Sequence, residues 1–368
     1  MNFPLPVVDV SGTPAEMGAS YGAQARDQIR ANVEAYLERF DKAVGLSRAA
    51  VIAQGALFRA TSRQHFPRLA LMLDTMAGEA GLDPELIYAI NARSELLYGN
   101  PTCGSPGEVG ECTSIGVLDT HTVNGHTLLA QNWDWHPEQR PYTLLLITRD
   151  ERGHEVAALT EAGMLAKAGL NSAGVGVCVN LIGSDRDGRP GGVPYHVLLR
   201  SVLEADSVSW ASRNVLRAPR SASINLLIGQ SHNDGGELLD LELCPGDAGW
   251  LHPQEGILVH ANHFEAPVPV YDTIKDWGGS SLFRSARARR LLLAREGKLS
   301  LDEILGVLKD HYGVPLAICR HVDVRDSPAD QSVTIWTVLM DLDERSIQLI
   351  SGPPCEGGNG MVFKPFSN

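Results

Sequence analysis

The chain has 368 residues, 43% hydrophobic and 20% charged, which suits a soluble globular protein with a large core in one big domain or two small ones. A formal charge of −13 excludes an extended nucleic-acid footprint, which needs a basic surface. No apolar run reaches the roughly 20 residues that span a bilayer, so no membrane partner is expected.

The opening MNFPLPVVDVSGTP has neither a basic n-region nor an apolar h-region, so no signal peptide is expected. Residues 6–10 read as a short strand. Thr13 then reads as a helix N-cap with Pro14 at the first helical position. Ile29, Val33, Tyr36, Leu37 and Phe40 recur at helical spacing. Further helices are expected over Arg48–Gln64 and Arg68–Ala80. After the break at Gly81-Leu82-Asp83-Pro84, another is expected over Pro84–Tyr98. Residues 100–111, NPTCGSPGEVGE, are rich in Gly and Pro and read as an exposed loop open to nicking.

Beyond residue 112 the texture turns to strands, at 113–121, 127–133, 142–149 and 155–160. GLNSAGVGVCVN (169–180) reads as a turn and a strand. A helical pair is expected at 194–203 and 208–216, then strands at 222–229, 237–243 and 256–260. His232-Asn-Asp-Gly-Gly236 reads as a hairpin turn and not a calcium loop. Helices at 284–293 and 301–310 precede a final hairpin of 332–340 and 345–350. Strands on both sides of helical pairs suggest packed sheets with helices outside them.

One stretch carries the chemistry: Glu111 to Trp135, ECTSIGVLDTHTVNGHTLLAQNWDW. Asn124-Gly125 is a strong tight-turn signal, because both central residues of a type I′ turn need positive φ. With those two as the turn, residue 134 falls opposite 115. That is three residues from Cys112, or roughly 10 Å at about 3.3 Å per residue. The hairpin would bring a thiol and the Asp134 carboxylate to one end of a sheet. The six cysteines, at 103, 112, 178, 244, 319 and 355, form no CxxC pair. That argues against both a zinc site and a disulfide framework, and for a reduced, cytoplasmic protein.

A cysteine thiol needs a base to act as a nucleophile, and none of the twelve histidines stands in a familiar local signature beside Cys112. If the chain is cut before Cys112, the new α-amine has a pKa of about 7.7–8.0 and lies on the nucleophile's own residue. A nucleophile at a strand start behind a Gly/Pro-rich loop is what this mechanism requires.

A set of stretches runs through most of the chain in order: GTPAEMGASYG (12–22), NARSELLYG (91–99), CTS and QNWDW (112–114, 131–135) and TEAGMLAKAGLNSAGVGVCVN (160–180). It continues with GVPYHVLLRSVLE (192–204), HANHF (260–264), ICR (318–320) and TIWTVLMD (334–341). These stretches carry a resemblance to the acyl-CoA:isopenicillin N acyltransferase family of self-cleaving N-terminal-nucleophile (Ntn) hydrolase-fold enzymes. It implies an α+β fold, a four-layer αββα sandwich with a helical N-terminal segment. It implies self-cleavage between Glu111 and Cys112 into residues 1–111 and 112–368, which stay together as a heterodimer within one structural domain. Cys112 would be the nucleophile, Asp134 would serve cleavage and orient the new terminus, and Asn262 would donate to the oxyanion. Such a donor is worth roughly 3–4 kcal/mol of barrier. Thr160, Glu161 and Gln331 are the expected substrate-binding positions.

The chain departs from the family pattern in three respects. Glu111 stands where the family prototype cuts after Gly. Asp330 and Gln331 replace a Ser-Arg pair, which argues against the same penam substrate. Cys244 replaces a serine. Other features have plainer readings. His260 and His263 lack an evident third ligand, so no metal is expected. Arg284, Arg287, Arg289 and Arg290 read as a solvated helix face in preference to an acyl-CoA phosphate site. The expectation is an acyltransferase or amidohydrolase working through an S-acyl enzyme on Cys112. It would need no cofactor, with acyl-CoA open as a substrate and an amine or water as acceptor. The alternatives are an acylase with water as acceptor and a non-processing small-molecule-binding protein that keeps the fold.

Overall fold

The computed structural model describes residues 5–99, 111–189, 191–276, 279–328 and 330–366. A first strand, β1 (Val7–Gly12), leads into α1 (Pro14–Gln24), α2 (Arg26–Val44), α3 (Arg48–His65), α4 (Pro67–Ala80), α5 (Pro84–Asn91) and α6 (Arg93–Tyr98). Thr13 caps α1 as expected: its hydroxyl accepts from the Glu16 N–H, and Glu16 reaches back to the Thr13 N–H. Gly18 and Gly22 let α1 lie directly on α4, since a Cβ on Gly18 would sit 2.1 Å from the Met72 carbonyl oxygen. The single helix expected over 84–98 is broken at Ala92. There the side chain of Asn91 is drawn to the carbonyls of Ile87 and Gly163.

The strands that follow are β2 (Cys112–Val117), β3 (Leu128–Trp135), β4 (Thr143–Asp150), β5 (Glu155–Glu161), β6 (Ala168–Asn171) and β7 (Val175–Asn180). Then come α7 (Tyr195–Leu203), α8 (Val208–Arg217), β8 (Ile224–Gln230), β9 (Glu237–Cys244), β10 (Asp247–Leu251) and β11 (Ile257–His260). The chain ends with α9 (Ser281–Leu293), α10 (Leu301–Leu308), β12 (Val333–Asp341), β13 (Ser346–Ser351) and β14 (Met361–Phe363). The stretch 169–180 is thus a two-strand hairpin. The strands β10 and β14, which the sequence did not signal, are edge strands.

Two sheets form, in the orders β1-β4-β5-β6-β7-β8-β9-β10 and β11-β2-β3-β12-β13-β14. Their inner faces meet through Leu129, Cys178, Leu227, Leu238 and Val338. Period-2 alternation sends other residues of the same strands outward. Val156, Val175, Val177 and Val179 pack under Leu199, Val202 and Val215 of α7 and α8. Ile115, Val117 and Ala130 pack under Ala288, Leu292, Ile304 and Leu308 of α9 and α10. The result is the expected αββα sandwich. The core between the sheets also takes Ile29, Val33, Tyr36, Ile87 and Ile90 from the N-terminal helices, so it draws on both sides of residue 111. Among the described residues no helix is long and apolar enough to cross a membrane.

One expectation fails here, and another fails at a single residue. The β2–β3 register is not that of a turn at Asn124-Gly125: Cys112 lies opposite Trp133, and Ile115 opposite Ala130. Residues 119–121 form a 3-10 turn, and Thr122 pairs with Leu299 instead of across the hairpin. The ladder therefore ends at Val117 and Leu128, and Asp134 falls beside Glu111. The expected loop at 100–111 lies outside the described residues except for Glu111. That residue is 5% exposed, not solvated, because two guanidinium groups hold its carboxylate.

Candidate active site

Strand β2 lies between the strands that deliver its partners. On one side β3 carries Asp134, whose N–H donates to the Glu111 carbonyl at 3.0 Å. On the other side β11 pairs His260 with Ser114, and the same antiparallel register carried on two residues sets Asn262 opposite Cys112. The Cys112 N–H donates to Asn262 Oδ1 at 2.9 Å. The peptide joining Glu111 to Cys112 is therefore gripped at its oxygen by Asp134 and at its nitrogen by Asn262.

The carbonyl of Asn262, and not its amide nitrogen, faces Cys112. Nδ2 donates to the Leu181 carbonyl at 2.8 Å, while Oδ1 also accepts from Arg284 Nη2 at 2.7 Å. Two donors converge on that oxygen, and this fixes the orientation of the amide. Of the hydrogens expected to serve an oxyanion, one is already committed to Leu181.

Arg284 is the organising cation. It is fully buried, so the expectation of a solvated arginine face fails at this position. Nη1 donates to the Cys112 carbonyl at 2.6 Å and to Thr113 Oγ1 at 2.7 Å. Nη2 lies 3.0 Å from Glu111 Oε2. Glu111 Oε2 also accepts from Arg320 Nη1 at 2.6 Å and from the Ser280 hydroxyl at 2.7 Å. Burial pushes the Glu111 carboxyl up, but Arg320, Arg284 and Ser280 outweigh it and hold its pKa below the ordinary value. Arg287 and Arg289, by contrast, pair with Asp310 and Glu255 nearer the surface.

Asp134 is fully buried. Its Oδ1 accepts from the Thr334 hydroxyl at 2.6 Å, while Oδ2 has no hydrogen-bond partner among the described residues. Burial raises its pKa to about 7 against the opposing pull of Arg320, Thr334 and Arg284. Burial also pushes the Cys112 thiol up, with Lys167 pulling it back and Asp134 adding to the rise. Lys167 is itself buried, which lowers its pKa, and its Nζ stands 5.4 Å from the ring centre of Trp133, the residue opposite Cys112.

Cys112, Glu111, Asp134 and Asn262 thus come together. The other expected site residues are placed differently. Thr160 is buried, and its hydroxyl has no hydrogen-bond partner among the described residues. Glu161 is engaged by Tyr36 at 2.6 Å and by Arg93 at 3.2 Å. Gln331 is half-buried and reaches the Asp326 carbonyl at 3.4 Å. Among the described residues none of the three shares a hydrogen bond with Cys112, Asp134 or Asn262. Sequence reasoning read Arg284 as part of a solvated helix face and assigned no role to Arg320, Lys167 or Thr334. Arg320, Lys167 and Thr334 lie inside stretches quoted above, and that was the available signal.

Beyond Asn262, the buried trio Asp240, Glu242 and His260 could hold a cation. His260 Nε2 is 2.8 Å from Glu242 Oε1. Burial pushes that imidazole down, but the two carboxylates outweigh it and raise it to about 9. An imidazolium therefore already supplies the positive charge.

A family model described as acyl-coenzyme A:6-aminopenicillanic acid acyl-transferase matches residues 120–356, which include Asp134 and Asn262 and begin beyond Cys112. The acyl-coenzyme A:6-aminopenicillanic-acid-acyltransferase 40 kDa form of Emericella nidulans is 27% identical over 367 residues, covering 98% of this chain and 96% of that protein. Protein dcd1A of Dictyostelium discoideum is 26% identical over 136 residues, 33% of this chain and 31% of that one. Among solved structures, a penicillin V acylase from Agrobacterium tumefaciens is similar at a TM-score of 0.41 and 15% identity, over 65% of this chain and 83% of that one.

Proposed function

The chain belongs to the acyl-coenzyme A:6-aminopenicillanic acid acyl-transferase family, and from that membership and the grip on the 111–112 peptide we propose that it is a self-cleaving N-terminal-cysteine acyltransferase or amidohydrolase. The observation that carries the reading is the peptide held at both its atoms beside a buried thiol and a carboxylate oxygen with no partner among the described residues.

In the uncut chain the Cys112 thiol gives its proton to Asp134 Oδ2, and Sγ attacks the Glu111 carbonyl carbon. The Asp134 N–H on the Glu111 oxygen receives the developing negative charge. The carbon–nitrogen bond breaks, and the proton passes from Asp134 to the departing nitrogen. Water then hydrolyses the Glu111 thioester, restoring the thiol beside a free α-amine. That amine, with an ordinary pKa of about 7.7–8.0, takes the thiol proton in each later turnover. Sγ attacks the carbonyl carbon of a small-molecule amide or of a thioester such as an acyl-CoA. The second Nδ2 hydrogen of Asn262 is the donor assigned to the oxyanion. Collapse expels an amine or a thiol, which leaves with the proton. The S-acyl enzyme is then resolved by an amine, giving transfer, or by water, giving hydrolysis. A thiol-reducing, cytoplasmic setting is part of the reading, because the nucleophile must stay unoxidised.

The test is a denaturing gel with intact mass measurement of the purified protein. The 39.7 kDa chain is expected as pieces of about 12 and 28 kDa, with Cys112 as the new N-terminus. Cys112→Ala is expected to leave one band and no activity. If Cys112→Ala still cuts, the self-processing model is wrong. One observation favours a second reading, a non-processing binding protein: three donors on Glu111 also stabilise the uncut chain. A single band that persists on long incubation would favour it.

A further inference from the structure

Away from the 111–112 peptide, four side chains converge on one point. The ligand atoms of His311, Cys319, His321 and Cys355 all lie within 4.8 Å of one another. The two sulfurs are 3.5 Å apart. His321 Nε2 is 3.6 Å from Cys319 Sγ, 3.4 Å from Cys355 Sγ and 3.2 Å from His311 Nε2. A tetrahedral zinc ion with Zn–S of about 2.3 Å and Zn–N of about 2.0–2.1 Å sets edges of roughly 3.8 Å for S···S, 3.6 Å for S···N and 3.3 Å for N···N. Each separation agrees with its edge to about 0.3 Å. The match extends outward, since Glu356 Oε1 lies 3.5 Å from Nδ1 of His321, the side on which a zinc-bound imidazole is usually oriented by a carboxylate.

Alternatives fit less well. A Cys319–Cys355 disulfide would need the sulfurs to close from 3.5 Å to about 2.05 Å and would leave two imidazoles facing each other without purpose. A chance polar cluster has no reason to bring four of its six ligand separations to tetrahedral zinc edges and hold the other two, from His311 to the sulfurs, within 4.8 Å. Two thiolates and two neutral imidazoles are the donor set of a closed structural zinc site.

We propose that His311, Cys319, His321 and Cys355 bind one Zn²⁺, with both thiols releasing their protons on binding. With four protein ligands the ion has no open position, so its work is structural. Between α10 and β12 the described residues, 309–328 and 330–332, form no helix or strand, a length of irregular chain that compact domains seldom leave unsecured. The ion ties that segment to Cys355, which lies between β13 and β14. Arg320 stands between two of the ligands. It donates to Glu111 and to Ser332, and its N–H donates to Thr334 Oγ1, which in turn donates to Asp134. Arg320 is therefore a positioning residue whose placement the zinc secures. The site does not depend on how the 111–112 peptide behaves.

The experiment uses the full chain, purified without a metal-affinity tag. Plasma mass spectrometry is expected to find about one zinc per chain, falling to a trace in Cys355→Ser, an exposed position whose substitution opens no core cavity. Chain stripped by a chelator and reloaded with Co²⁺ is expected to show a thiolate-to-cobalt charge-transfer band and the intense visible absorption of a tetrahedral ion. Three results would overturn the proposal. One is wild-type protein that keeps no zinc after incubation with ZnCl₂ and desalting. Another is zinc retained undiminished in a folded Cys355→Ser/His311→Ala variant. The third is a Cys319–Cys355 disulfide, found by peptide mapping of protein purified under thiol.

Discussion

Replacing Glu111 by Gln keeps its shape and removes one charge from the most tightly held carboxylate of the site. Arg320 at 2.6 Å and Arg284 at 3.0 Å would then lose the carboxylate they share, leaving the partly ionised Asp134 as a remaining carboxylate that both act on. Removing one partner of a buried ion pair typically costs about 3–5 kcal/mol, because the remaining charge stays desolvated. Both guanidinium groups retain other acceptors, namely Ser332 for Arg320 and Cys112, Thr113 and Asn262 for Arg284, so the lower end, about 3 kcal/mol, is expected. The assay is urea unfolding of Glu111→Gln and its parent, both carrying Cys112→Ala. The dependence on pH has a definite sign. Because the folded pKa of Glu111 is depressed, its stabilisation is fully present above the unfolded carboxyl pKa of about 4.3 and is lost as pH falls through the folded value. The gap between variant and parent should therefore be widest near neutrality and close toward acid. A gap below about 1 kcal/mol, or one that persists unchanged at low pH, would refute the claim that this carboxylate is paired and buried.

The proposed chemistry gives further outcomes. With its pKa raised to about 7, Asp134 is half-ionised near neutrality, so the rate of self-cutting should climb with pH to a plateau above that value. Asp134→Asn should slow cutting by about 10²–10⁴-fold and erase that pH dependence, which quenched time courses on gels would follow. Asn262→Asp still offers an acceptor to the Cys112 N–H but cannot donate to an oxyanion. Cutting should persist while acyl transfer, measured by release of free thiol or amine, falls about 10²–10³-fold. Lys167→Met removes the cation that pulls the Cys112 thiol down, so alkylation of Cys112 at fixed pH should slow; an unchanged rate would disconnect Lys167 from the thiol.

Much of the architecture was legible because its signals are local. Thr13 and Pro14 mark a helix start through hydrogen bonds within three residues, and the strands from 142 to 161 announce themselves by composition. What failed depends on distant partners. The register of β2 and β3 follows from Thr122 pairing with Leu299, far along the chain. Arg284 sits in FRSARARR, which reads as a wet face until Glu111 is known to lie against it. Cys112, Asp134 and Asn262 were legible as a group through family resemblance. The orientation of the Asn262 amide was not, because only Arg284 fixes it. The His311–Cys319–His321–Cys355 cluster escaped because its fourth member comes from beyond β13, so no short spacing announces it.

The interior that mixes Ile29, Tyr36 and Ile90 with Cys112, Trp133 and Leu349 constrains how such a molecule can be made. A gene begun at codon 112 would encode a polypeptide missing one wall of its own hydrophobic interior, and ribosomes would deliver it to aggregation. The leading third of the chain has to be translated, and docked, before the thiol has any surroundings to work in. Under the proposed self-cleavage, trimming at that peptide would report that docking had already happened, and the upstream piece would be expected to stay on as part of the building.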